Sequence, residues 1–265
     1  MRPVVLDAWL AFTEGFEGGV PFPYVDIKNL VTVAYGNLID PVSLAVDLPF
    51  RRPDGTPATK AEIITAWHAV KNAGASQWYY PHQAKLTSLR LTAGGMAALA
   101  LGKLASNNVE LLRRIPDFEE LSACVQMAMH SWAWAVGAWG RFPALISAVN
   151  ARDFEAAAVH IHIKEWTTDA KGARILNKGL IPRNVANKVL MRNAGRVQAF
   201  HLDPDAIEWL AELGVSDVST QPAIDNPASE PTIYPAAPDQ PTIHVDPSAY
   251  LRPEEWLDRD PDDVA

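Results

Sequence analysis

Apolar residues recur with helical spacing over most of the first 200 positions of the chain. Val5, Trp9, Phe12 and Phe16 follow the i, i+4, i+7, i+11 pattern of one helix face. The glycine pair at 18–19 predicts the end of this helix, because glycine favours backbone conformations that a helix cannot continue. The chain therefore opens with an amphipathic helix.

Two short β-like runs follow at 24–26 and 30–35, and a turn at Lys28-Asn29 separates them, which predicts a hairpin. Residues 40–58 are rich in proline, aspartate and glycine and indicate a loop. Helical spacing then returns in six segments: 61–71, 93–112, 121–139, 143–149, 154–166 and 182–197. We predict a mostly helical α+β fold in which one helix and a small β-hairpin lobe precede a helical lobe.

Residues 121–140 contain no acidic or basic residue and are long enough to span a membrane. They also contain Gln126, His130 and Ser131, whose polar groups are costly inside lipid. A helix that is apolar on all sides within a larger domain explains the segment better. We therefore expect a buried core helix and no membrane span.

The composition changes near residue 203. Residues 1–203 hold 21 Lys and Arg against 17 Asp and Glu, a net charge of +4, whereas residues 204–265 hold 2 against 14, a net charge of −12. The second segment also contains 10 of the 21 prolines. We predict a folded domain over 1–203 and an acidic, proline-rich arm over 204–265, which is either a solvated extension or a segment that docks on a partner.

Charge and cysteine content exclude several classes of function. A net charge of +4 without a basic run longer than two residues makes nucleic acid a poor partner. The single cysteine, Cys124, excludes an internal disulfide framework. His160 and His162 point to different faces of the predicted helix, so we expect no metal site there.

Candidate chemistry lies where the first helix meets the hairpin. Glu17 ends the helix, Asp26 follows nine residues later, and Thr32 follows six residues beyond it. Two carboxylates that flank a cleft are the minimum for cleaving a glycosidic bond. We expect apolar neighbours to favour the neutral form of Glu17, and a polar turn near Lys28 to favour the ionised form of Asp26. Taken alone, the same residues also fit a helix end and a solvated turn.

The residues around these three positions resemble the active-site region of phage-type lysozymes, glycoside hydrolase family 24. The matching blocks are Phe16-Glu17-Gly18, Tyr24-Val25-Asp26 and Thr32-Val33-Ala34-Tyr35-Gly36-Asn37-Leu38. The resemblance continues to about residue 200 through the blocks 129–137, 142–154, 164–166 and 179–183. It implies a lysozyme-like fold over about residues 1–200.

The resemblance also implies an activity, the hydrolysis of the β-1,4 bond between N-acetylmuramic acid and N-acetylglucosamine in peptidoglycan. Glu17 would be the general acid, while Asp26 and Thr32 would position the attacking water in an inverting reaction without a cofactor. Arg183 would pair with the acid, and Tyr35 and Asn37 would contact the glycan.

Two positions depart from the family pattern. Asn37 replaces a usual histidine, so altered local packing is expected. The family frequently has two consecutive arginines here, and Asn184 replaces the second. The alignment therefore allows Arg183 to correspond to either of the two.

The same resemblance suggests how the protein is deployed. We expect synthesis in a bacterial host cytoplasm without a signal peptide, then action on the cell wall after holin release or as a virion component. The arm 204–265 would contact a phage tail or another particle protein. The alternative is a lysozyme-fold structural or binding module of a virion with little activity.

Overall fold

The fold is described from a computed structural model, which covers residues 1–74, 80–138, 140, 142–168 and 172–207, with the side chains of 80–81 left out. It confirms the α+β class, and 56% of the described residues are helical. The elements in chain order are α1 (Pro3–Glu17), β1 (Val20–Val25), β2 (Val31–Ala34), β3 (Asn37–Leu38), α2 (Lys60–Ala73), α3 (Tyr80–Gln83), α4 (Ala93–Arg114), α5 (Ala123–Val136), α6 (Pro143–Asn150), α7 (Phe154–His160), β4 (Trp166–Thr168), β5 (Arg174–Leu176) and α8 (Leu180–Phe200).

Helix α1 ends where the sequence predicts. Pro3 occupies the first turn, where its missing N–H costs no helical hydrogen bond. Val5, Trp9 and Phe12 are buried along one face. Gly18 adopts φ +63° and donates its N–H to the Glu14 carbonyl, which ends the helix directly after Glu17. The candidate acid thus sits on the last residue of a helix whose apolar face is anchored in the core.

The hairpin forms a three-stranded antiparallel sheet in the order β1-β2-β3. Tyr24 pairs with Thr32, and Val25 pairs with Val31. The pairing continues past β1, because the Asp26 N–H donates to the Leu30 carbonyl at 2.9 Å. This register fixes Asp26 and Thr32 on neighbouring positions of one small sheet.

Helix α5 is the centre of the helical lobe, and its residues from Ala123 to Trp134 are all buried. Helices α1, α4 and α8 pack around it, which is the environment expected for a helix that is apolar on all sides. Helix α4 also contacts β2 and β3, so it joins the sheet to the helical lobe. In the described part of the chain, no helix has both the length and the apolar character needed to cross a membrane.

The segment 154–166 corrects one prediction, because the predicted helix is too long. Helix α7 ends at His160, and Trp166 instead begins β4, which pairs with β5 in a hairpin that we did not predict. The Asn184 side chain accepts the Ile163 N–H at 2.8 Å and donates to the Ile163 carbonyl at 2.7 Å. The N–H and the carbonyl of Ile163 therefore bond to a side chain and not to the backbone of a continuing helix. The β-branched residues Thr167 and Thr168 then favour a strand.

The first residues of the predicted arm lie against the folded body. The Ala123 N–H donates to the Pro204 carbonyl at 2.7 Å, and Arg2 forms an ion pair with Asp205 at 2.6 Å. Contact with the body therefore continues past the predicted boundary at residue 203. The rest of the arm from residue 208 onward lies outside the described residues.

One histidine of the core gives the fold a predicted pH dependence. His130 is fully buried on α5 between the rings of Trp9 and Phe118. Burial lowers the pKa of His130 to about 3, and the N-terminal ammonium acts in the same direction. Since the unfolded side chain has its ordinary pKa near 6.5, the protonation equilibrium of His130 costs almost no stability above that pH and progressively more as the pH falls toward 3.

We expect His130→Leu to remove this component of acid destabilisation. At pH 5 the imidazole should contribute about 2 kcal/mol less stability than at pH 7, because protonation of the unfolded side chain alone favours unfolding by about 1.4 kcal/mol for each pH unit below its pKa. Urea unfolding at the two pH values measures the difference, with His160→Leu on the exposed side of α7 as the matched control. Equal pH dependence in the wild type and His130→Leu would contradict the assignment.

Candidate active site

An ion pair between helices α1 and α8 holds Glu17. The Arg183 Nη2 on α8 donates to the Glu17 Oε1. The arginine side chain is 2% exposed and the glutamate side chain 27%, so the cation is buried and the carboxylate reaches the surface. The pair that the sequence resemblance implied is therefore present, and it involves Arg183 and not Asn184.

Several groups fix the Arg183 guanidinium from behind. Its Nη1 donates to the Ser131 carbonyl at 3.0 Å and contacts the Ser131 hydroxyl at 3.3 Å. Its central carbon lies 4.9 Å from the centre of the Phe16 ring. Burial lowers the pKa of Arg183, and the charge of Glu17 opposes that effect. The guanidinium is thus an oriented donor with few alternative positions.

The sheet contacts the same carboxylate through Gly36. This residue lies in the turn between β2 and β3 and adopts φ +73°. A Cβ atom added there would lie 2.9 Å from the Glu17 Oε2, closer than real Cβ contacts allow. The positive φ favours glycine here, and any side chain would push the Glu17 carboxylate out of its present position. Glu17 is therefore confined between Gly36 and Arg183.

Asp26 occupies a different environment at the other end of the hairpin. Its Oδ1 accepts the backbone N–H groups of Lys28 and Leu30, both at 2.8 Å. Burial raises the pKa of Asp26, although these two hydrogen bonds and the charges of Lys28 and Lys71 act in the opposite direction. We expected the polar turn to dominate and ease ionisation. That expectation is wrong, because the partial burial of the carboxyl group has a larger effect on its pKa than the turn does.

Thr32 lies on β2, on the face of the sheet that Asp26 shares. Asp26 extends the pairing opposite Leu30, so Thr32 is its diagonal neighbour, at a Cα separation of roughly 7–8 Å. The Thr32 hydroxyl lies 3.5 Å from the Tyr24 carbonyl, which is too long for a strong hydrogen bond. Asp26 and Thr32 therefore share one face of the hairpin.

Tyr35 and Asn37 are both buried, and they join the sheet to the helical lobe. The Tyr35 carbonyl accepts the Trp134 Nε1–H at 3.0 Å, and the Asn37 Nδ2 donates to the Leu99 carbonyl at 3.3 Å. These contacts give both residues a packing role. Their contact with a glycan stays a prediction.

Sequence reasoning missed a second cation near Glu17. Lys103 on α4 places its Nζ 3.3 Å from the Trp134 carbonyl and 4.1 Å from the centre of the Trp134 ring. The residue as a whole is partly buried, but its ammonium lies against this ring, and burial lowers the pKa of Lys103 to about 8. The charge of Glu17 raises that pKa, and the charge of Arg183 lowers it. One feature of the sequence could have drawn attention to it, because Lys103 is the one charged residue between positions 93 and 109.

Comparison with known proteins assigns no family to the chain. A scan against protein-family models and a search of curated proteins both gave no match. The chemistry of the site is therefore inferred from its geometry and from the residue patterns described above.

The contact between Gly36 and Glu17 generates a prediction about activity on cell walls. We expect Gly36→Ala to reduce clearing of purified peptidoglycan at least tenfold, because the new methyl group displaces the carboxylate from Arg183. Both this variant and the control Gly55→Ala should lose about 1–2 kcal/mol of stability, since both glycines have positive φ.

The control separates the two effects of the methyl group. Gly55 has φ +82° and no atom within 4 Å of an added Cβ. Gly55→Ala should therefore lower the stability of the protein. The fraction that remains folded should clear peptidoglycan as the wild type does. Equal activity in the two variants would show that the carboxylate position does not matter.

Proposed function

We propose that this protein hydrolyses the β-1,4 bond between N-acetylmuramic acid and N-acetylglucosamine in peptidoglycan. The observation that carries the proposal is the pair of carboxyl groups in unlike environments beside one small sheet. Glu17 is held by a buried guanidinium, whereas Asp26 is held by backbone N–H groups and lies on the same sheet face as Thr32. Distinct environments for two carboxyl groups are typical of acid and base roles in one site.

In the proposed reaction, protonated Glu17 donates its proton to the glycosidic oxygen as the bond from that oxygen to the anomeric carbon breaks. A water molecule between Asp26 and Thr32 attacks the anomeric carbon from the opposite face, and its proton passes to Asp26. A pKa raised by burial makes Asp26 a better proton acceptor once it is ionised. This sequence inverts the anomeric configuration and requires no cofactor.

Arg183 has a specific role in this scheme. Glu17 becomes negatively charged as it gives up its proton, so a fixed cation stabilises the state that forms during bond cleavage more than the starting state. A buried ion pair is weak support for stability, because desolvation offsets much of its attraction. A virion module without activity gains little from such a pair, so the arrangement favours the enzyme over the structural alternative.

The proposed partners follow from the substrate. The glycan strands of peptidoglycan bind across Glu17 and Asp26, and the arm 204–265 places the enzyme on a phage tail or another particle protein. Deployment either as an endolysin after holin release or as a virion-associated lysozyme is compatible with this chemistry.

Substitution of the two carboxyl groups tests the function. We expect Glu17→Gln and Asp26→Asn each to lower clearing of purified cell walls in a zymogram by at least a thousandfold, because each removes a proton-transfer group. Glu14→Gln is the matched control, since Glu14 is an exposed residue three positions away on the same helix.

The released fragments give the second readout. Each turnover should create one new reducing end on a muramic acid residue. Absence of clearing by the folded wild-type protein would favour the structural module. Anhydro-sugar ends would replace hydrolysis with a lytic transglycosylase reaction.

A further inference from the structure

Lys103 is a charged residue near Glu17 to which the proposed reaction assigns no role. Its Nζ donates to the Trp134 carbonyl at 3.3 Å and lies 4.1 Å from the centre of the Trp134 ring. Lys103 extends from α4, the helix that contacts both the sheet and α5. Its ammonium is thus held by two contacts with one residue of the central helix.

The same face of α5 holds both cations of the site. Ser131 fixes Arg183, and Trp134, three positions later, fixes Lys103. Trp134 also donates its Nε1–H to the Tyr35 carbonyl, directly before the Gly36 that confines Glu17. A single turn of α5 therefore organises the two cations and the sheet turn around one carboxylate.

Two charged groups act on Lys103 within the described residues. Glu17 attracts its ammonium from the end of α1, and Arg183 repels it from α8. Two nearby cations repel each other, which disfavours the charged form of Lys103. The negative charge of Glu17 offsets part of this repulsion.

We propose that Lys103 is a positioning residue for the catalytic acid, whose charge stabilises the Glu17 carboxylate as the proton leaves. The inference rests on the proposed function of Glu17. It predicts that loss of the charge leaves Glu17 protonated to a higher pH, because a nearby cation favours the ionised form of a carboxyl group. It also predicts a slower reaction at the optimum, because the developing negative charge loses one of its two partners.

A purely structural role for Lys103 makes a different prediction. The Trp134 carbonyl belongs to the last turn of α5, where cations commonly satisfy free carbonyl groups. A lysine that only caps this helix should affect the melting temperature and leave the pH profile of the reaction unchanged.

The test compares kcat/KM from pH 4 to 9 for the wild type, Lys103→Met and Lys103→Arg on solubilised peptidoglycan. In Lys103→Met, the alkaline limb should move upward by about half a pH unit or more, kcat should fall several-fold, and KM should change little. Lys103→Arg should restore the wild-type limb. Lys60→Met, which removes an exposed lysine paired with Asp47, is the control and should leave the limb unchanged.

A second readout does not depend on turnover. The carboxyl carbon of Glu17, identified by its loss in Glu17→Gln, should titrate at a higher midpoint in Lys103→Met than in the wild type by 13C NMR. Lys103→Gln serves as the neutral variant if Lys103→Met does not fold.

The outcomes separate the two proposals. If Lys103→Met lowers the melting temperature but leaves the titration midpoint of Glu17 and the alkaline limb of the pH profile unchanged, Lys103 only caps helix α5 and the proposal is wrong. A shifted midpoint in a protein that does not cleave peptidoglycan would retain the coupling and reject the proposed function.

Discussion

The ion pair between Glu17 and Arg183 joins residues 166 positions apart and ties helix α1 to helix α8. A buried guanidinium needs hydrogen-bond acceptors, and here Ser131 and Glu17 accept from its two terminal nitrogens while Phe16 covers one face. The ion pair therefore depends on the central position of helix α5, because this helix supplies Ser131. It also leaves the carboxylate as the exposed end of the pair, where a substrate can reach it.

The electrostatics of the site follow from what surrounds each carboxyl group. Glu17 is paired with a buried guanidinium, whereas Asp26 is partly buried and its Oδ1 accepts backbone N–H groups. Unlike surroundings for two carboxyl groups beside one small sheet are what an acid and a base that act together require. The backbone at Gly36 then limits where the acid can move.

The sequence predicted those elements that are determined by residues close together in the chain. The apolar face and the glycine stop of α1, the hairpin around Lys28 and the uniformly apolar helix α5 were all visible in the sequence. Features set by distant contacts were not. Asn184 diverts the chain at Ile163, the burial of Asp26 depends on how the sheet packs, and Lys103 lies against Trp134 only once α4 packs on α5.

In the proposed reaction, Glu17 protonates the leaving oxygen while a water between Asp26 and Thr32 attacks the opposite face of the sugar. Digestion of purified peptidoglycan in 18O water, followed immediately by NMR and mass spectrometry, tests this mechanism directly. We expect one 18O atom at the new muramic acid C1 and the α-anomer as the first product. A first product with the β configuration would require a covalent or retaining route and would contradict this mechanism, as would products without 18O.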